Sequence, residues 1–165
     1  VHFLSNCAGT DASPEEVYEI DLTAGETIKV TATSTADLVL TISNNCSVCL
    51  AGFDYGNAGD GETIYYVAPA DGTYFITVEG YGAADVGAYS LEVKVPATCD
   101  DGISYVGCCD GNVATWCEDG ELKTYDCEAN YGVTCGWYQD SLQYWCKETA
   151  DEDPSGNNPL ACYPG

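Results

Sequence analysis

The chain contains no methionine and no arginine, and its only histidine is His2. Each absence removes a class of chemistry. With the one imidazole on a terminal arm, the folded body has no base for a serine–histidine triad. No HExxH, GxSxG, P-loop or GxGxxG pattern appears either. Carboxylates are plentiful, but 27 of them make any particular acid pair unspecific. The sequence therefore reads as a non-enzyme.

Basic residues are also scarce. Four lysines stand against the acidic side chains, for a formal net charge of −23. The excess is even: −12 over residues 1–98 and −11 over residues 99–165. Such a surface repels nucleic acid and anionic lipid heads, so neither is an expected partner. It reads as a solvated acidic coat suited to salty water, one that also attracts divalent cations. No apolar run approaches the ~18 residues a membrane helix needs. Val1-His2-Phe3-Leu4 lacks a charged leader, which reads as a mature secreted chain whose signal peptide is gone.

What the chain has in quantity is cysteine, eleven in 165 residues. That density points to an oxidising, extracellular or cell-surface setting. The distribution is lopsided, with three cysteines in residues 1–98 and eight between Cys99 and Cys162. With the shift in composition at Pro96-Ala97-Thr98, this divides the chain into an arm (1–13), a first module (14–96) and a cysteine-rich module (97–165).

The first module alternates with a period of two, the signature of strands with one face in a core. Tyr18, Ile20 and Leu22 alternate with Glu19 and Asp21; Ile28, Val30 and Ala32 alternate with Thr27, Lys29 and Thr31. Leu38, Leu40 and Ile42 share a side within 37–43. Gly61–Val95 reads as three more strands. Tyr74, Ile76 and Val78 oppose Thr77 and Glu79, and Tyr89, Leu91, Val93 and Val95 oppose Ser90, Glu92 and Lys94. Pro69-Ala70-Asp71-Gly72 makes the turn between the first two. With a short seventh strand near 50–53, the pattern predicts an all-β, antiparallel β-sandwich. Ser13-Pro14-Glu15-Glu16 is also suited to cap one helical turn.

Four pieces carry a family resemblance: Tyr18–Thr27, Asp37-Leu38-Val39-Leu40, Asp71–Val78 and Gly87-Ala88-Tyr89-Ser90-Leu91. In order and spacing they resemble the bacterial pre-peptidase C-terminal domain over roughly residues 15–95. The resemblance implies a jelly-roll-like sandwich that is an accessory to secreted hydrolases and brings no catalytic residues. Relatives include collagen-binding modules of bacterial collagenases, some of which bind calcium, but their ligands match no positions here.

The second module is too small to bury a sufficient apolar core, and disulfides supply the missing stability. Val113–Glu118 and Glu121–Asp126 flank Asp119-Gly120 as a hairpin, with Trp116 and Tyr125 as bulky core candidates. Gly136-Trp137-Tyr138 and Tyr144-Trp145-Cys146 read as a second strand pair. The runs Gly107–Asn112, Trp116-Cys117, Cys135-Gly136-Trp137 and Asp153–Gly156 are similar to cysteine-rich tails of proteins secreted by myxobacteria and their relatives, a likeness that speaks to localisation only. The sequence does not choose the pairing of the eight cysteines, except that the adjacent Cys108 and Cys109 take different partners.

Cys46 and Cys49 share a loop and are placed to bridge each other; a zinc or redox reading of this CxxC lacks a second CxxC and a histidine nearby. Cys7 is left over, a candidate for an intermolecular disulfide. Its arm, beginning Val1-His2-Phe3-Leu4-Ser5, is short and β-prone, as required to add a strand to another subunit, or else to fold back on its own sandwich.

No cofactor is required. Calcium is the ion suggested by the oxygen-rich loops containing Asp100, Asp101, Asp110, Asp119, Asp151 and Asp153, none with EF-hand spacing; these pairs are also ordinary turn chemistry. Tyr55, Tyr65, Tyr81, Trp137 and Tyr138 are aromatics for a binding platform if they face out, and core if they face in, with Tyr81 and Trp137 the chosen candidates. Two functions follow. One is a structural subunit of an extracellular assembly, such as a filament, built from copies of itself through the arm and Cys7. The other is a binding module for glycan or a matrix-type protein.

Overall fold

Alternating apolar residues and glycine turns build strands β1 (Glu15–Leu22), β2 (Thr27–Ser34), β3 (Leu38–Asn45), β4 (Val48–Phe53), β5 (Glu62–Val67), β6 (Gly72–Gly80) and β7 (Tyr89–Lys94). They are seen in a computed structural model that describes residues 14–45, 48–53, 57–99 and 102–163. All pairings are antiparallel and form two sheets, β1-β6-β3-β4 and β5-β2-β7. The seventh strand is β4, longer than its expected 50–53. Glu15 and Glu16 are already in β1, so the helical turn expected there gives way to pairing with Glu79 and Val78.

Between the sheets lies the core: Ile28, Val30 and Ala32 from one, Leu40, Ile42, Ile76 and Val78 from the other. Gly25, at φ +81°, turns β1 into β2, a backbone region that L side chains rarely adopt. Its N–H donates to the Ala68 carbonyl at 2.8 Å, which ties this turn to the end of β5. Thr77 and Glu79, which alternation assigns to water, are 1 % and 4 % exposed. Thr41 and Ser43 on β3 are buried as well, so both faces of the central strands are withdrawn from solvent.

The chain divides after Lys94 into two units. The second holds β8 (Cys108–Asp110), β9 (Val113–Glu118) and β10 (Glu121–Asp126) in the order β10-β9-β8, then helix α1 (Cys127–Tyr131) and the pair β11 (Thr134–Tyr138) and β12 (Gln143–Lys147). Asp119 and Gly120 both have positive φ, the two-residue turn that matches strand twist. The short helix is not visible in the alternation. It is set by Asp126, whose carboxylate accepts the Ala129 N–H at 2.8 Å, and ends at Gly132 with φ +68°.

Four disulfides hold this unit: Cys99–Cys117, Cys108–Cys162, Cys109–Cys135 and Cys127–Cys146. The adjacent Cys108 and Cys109 take different partners and anchor the C-terminal segment and β11 to one strand. Seven of the eight tail cysteines are buried, and Ile103, Val106, Ala114, Trp137 and Tyr144 are the further buried hydrophobics of the unit among the described residues. Sulfur replaces a conventional core.

Candidate functional site

In the first unit, both sheets end at the same side of the sandwich. β1 is the edge of one sheet and β7 the edge of the other. Register fixes which side chains face inward there. Tyr18 lies opposite Ile76 and Glu16 opposite Val78, while Val93 lies opposite Val30 and Leu91 opposite Ala32. Because Ile76, Val78, Val30 and Ala32 face the core, so do Glu16, Tyr18, Leu91 and Val93. Yet the sheets part at this edge, leaving a cleft of about 520 Å³ lined by Glu16, Tyr18, Tyr89, Leu91 and Val93.

The β7 face expected in the core is therefore only partly covered: Tyr89 and Leu91 are half-buried, and Val93 and Val95 are 39 % and 70 % exposed. No strand beyond β1 or β7 pairs with either edge among the described residues. A polar clasp bridges the parted sheets. The Tyr18 hydroxyl donates to Glu16 Oε2 at 2.7 Å, the Tyr89 hydroxyl donates to the same oxygen, and the two hydroxyls lie 2.6 Å apart. These bonds, from Tyr89 first and Tyr18 second, hold the Glu16 carboxyl below its usual range. Burial, then the bond to Glu16, pushes the Tyr89 phenol up.

The expected site residues are scattered. Cys7, Cys46, Tyr55, Asp100 and Asp101 lie outside the described residues, and Cys49 is in β4. Tyr81 is 47 % exposed just beyond β6. Tyr65 is half-buried under the Lys29 ammonium, and Tyr138 holds the Lys147 ammonium 5.5 Å from its ring centre. Trp137, expected on the surface, is 4 % exposed, edge-on to Tyr144, with its indole N–H on Gln139 Oε1 at 3.2 Å. It is core.

Among the acidic candidates, Asp110 is exposed at the end of β8 and Asp119 forms the hairpin turn. Asp151 takes Lys147 and then Thr149, which hold its carboxyl low. Asp153 is buried, which pushes its carboxyl up. Hydrogen bonds from the backbone and side chains of Ser155 and Asn158 outweigh that and bring it below the usual value. Its oxygens organise a loop. No three His, Cys, Asp or Glu side chains converge on a metal position among the described residues.

Tyr131, Tyr138, Trp145 and Tyr163 are exposed in the second unit, and Trp116, Tyr125, Tyr131 and Trp145 form a row. Trp116 meets Trp145 edge to face at 5.1 Å, Tyr125 stacks on Trp145 at 5.1 Å, and Tyr131 lies 5.8 Å from Tyr125. Trp116 and Tyr125, expected in the core, are half-buried members of this row. The signal that separates the two classes is the cysteine. Bridged sulfurs face inward, so on a strand the adjacent residue faces outward and the residue two away faces inward. Trp116 precedes Cys117 and Trp145 precedes Cys146, whereas Trp137 and Tyr144 are each two residues from a cysteine.

Comparison with known proteins locates the first unit. Residues 14–80 match the model of the bacterial pre-peptidase C-terminal domain family. Among solved structures, the pre-peptidase C-terminal domain of a collagenase from Bacillus anthracis aligns at 17 % identity, covering 48 % of this chain and 76 % of that one, with a TM-score of 0.38. No curated protein matches the chain. Residues 14–80 of the chain are therefore similar to a bacterial pre-peptidase C-terminal domain by its family model, and a disulfide-stapled β unit follows them.

Proposed function

We propose that the protein is a non-catalytic structural subunit of an extracellular or cell-surface assembly, a filament or similar. Copies join when the 1–13 segment of one inserts along the seam between β1 and β7 of the next. The observation that carries this reading is the parted edge of the sandwich. Two edge strands, each without an outer partner among the described residues, flank a cleft whose lining is apolar on the β7 side, the setting in which an added strand gains both backbone hydrogen bonds and side-chain burial.

The segment supplies what such a cleft takes. It opens with Val1-His2-Phe3-Leu4, and its first acidic residue is Asp11. It can therefore approach an acidic copy with less of the repulsion that a charge of −23 imposes elsewhere. The cysteine count supports a covalent contribution. The tail bridges use eight of eleven cysteines and leave Cys7, Cys46 and Cys49, an odd number. The dense bridging and the bacterial domain support an extracellular location, and no helix among the described residues is long and apolar enough to cross a membrane.

The test uses gel filtration and non-reducing electrophoresis of the full chain, its Cys7→Ser variant and a chain lacking residues 1–6. Oligomers that lose their covalent link in Cys7→Ser and dissociate without residues 1–6 support the proposal. An oligomer unchanged by the deletion, or a monomer throughout, refutes it.

A further inference from the structure

The second unit carries a cleft of about 400 Å³, within the range of small-ligand sites and distinct from the seam. Trp116 and Trp145 form its aromatic corner, with interplanar angle 70°, and Tyr105 and Tyr138 also line it. Its polar groups are Glu118, Ser141 and Gln143. We propose that this cleft binds a neutral glycan, with sugar rings stacked on the Trp116–Trp145 corner and their hydroxyls bonded to Glu118, Gln143 and Ser141.

Three observations lead there. The corner is braced by its protein neighbours. Each tryptophan sits beside a bridged cysteine, Cys117 or Cys146, and Tyr125 lies against one face of Trp145. Preorganised aromatic surface binds without the entropy cost of ordering side chains. Secondly, Trp145 is 37 % exposed although the same unit buries Trp137 and Tyr144. Such an indole is poorly placed as core and well placed as a platform for the apolar C–H face of a sugar ring.

Thirdly, the hydrogen-bonding character selects among ligands. The Trp116 indole N–H already donates to Glu118 Oε2 at 3.3 Å, and the Tyr138 hydroxyl to the Cys146 carbonyl at 2.9 Å. A proline-rich peptide offers carbonyl acceptors and needs such donors. Glu118 retains acceptor capacity on its carboxylate, which calls for a ligand with hydroxyl donors. An anionic polysaccharide is disfavoured by that same carboxylate and by the net charge of −11 over residues 99–165.

The test is affinity electrophoresis of the full chain in gels containing soluble β-glucan, xylan, galactomannan or dextran. Dextran sulfate serves as the anionic probe, and a polyproline peptide is titrated by tryptophan fluorescence. Retardation by at least one neutral polysaccharide is expected. It should weaken at least tenfold in Trp145→Ala, as for an aromatic anchor, and measurably in Glu118→Gln, while Trp145→Phe keeps most of it. Should Trp145→Ala fail to fold, Trp145→Phe and Glu118→Gln carry the comparison, each checked by thermal unfolding. Absence of retardation in all four neutral gels overturns the proposal. So does retardation unchanged by both Trp145→Ala and Glu118→Gln, or binding confined to polyproline or dextran sulfate.

Discussion

Replacing both cysteines of the Cys127–Cys146 bridge by alanine tests whether sulfur does the work of a core in the second unit. The bridge joins α1 to β12 across a separation of 19 residues. Loop-closure entropy for a ring of that size amounts to about 3 kcal/mol of lost constraint on the unfolded chain. For a unit of this size each kcal/mol moves the midpoint by about 4–8 °C, so Tm should fall by about 12–24 °C. The longer Cys108–Cys162 loop, with a separation of 54, gives about 4 kcal/mol by the same formula. That figure is a ceiling, because Cys109–Cys135 short-circuits the loop and main-chain bonds from Cys109 to Leu160 and from Cys162 to Cys109 remain. The two losses should therefore be similar despite the difference in loop length. Scanning calorimetry of the full chain reads the magnitudes, and near-ultraviolet circular dichroism follows the Trp116–Trp145 contact. The first unit contains none of these bridges, so its transition serves as the internal reference. A loss below about 1 kcal/mol in both variants would refute the reasoning.

Three other outcomes follow from the same geometry. The clasp at the seam makes the first unit pH-dependent. Glu16 is held below its ordinary value of 4.5, so its contribution is present above that pH and disappears as pH falls through the lowered value. Tyr89→Phe should flatten the acid limb of a Tm–pH profile, and an unchanged limb counts against the clasp. A Cβ on Gly136 would sit 2.2 Å from the Thr149 carbonyl oxygen, a backbone atom that cannot step aside, so Gly136→Ala should destabilise by about 1–3 kcal/mol in urea unfolding. Asp153 is saturated by protein donors, and the described acidic candidates do not converge. Calcium should then raise Tm no more than magnesium at equal ionic strength, and a calcium-specific shift would contradict this.

The sandwich was legible because its central strands obey strict alternation: Ile28, Val30 and Ala32 or Tyr74, Ile76 and Val78 can only point one way once a core exists. The edges were not. Alternation alone puts Val93 and Val95 inside, because it cannot register that the opposing sheet has parted at β1 and β7. Thr77 and Glu79 failed in the other direction, since a polar residue on a central strand can be covered without any local signal. In the tail, hairpin and turns were readable from Asp119-Gly120, but the orientation of the tryptophans was not read from hydrophobicity, which treats all three alike. Their distance from the nearest bridged cysteine does separate Trp137 from Trp116 and Trp145. The disulfide pattern itself depends on which strands meet, and composition carries no trace of that.

Electron microscopy of the purified full chain tests directly whether copies join through the 1–13 segment and the seam, as proposed. At an ionic strength that screens the charge of −23, the full chain should form regular filaments or sheets, and the chain lacking residues 1–13 should not. Dispersed single particles from the full chain, or the same assembly from both chains, would contradict the proposal.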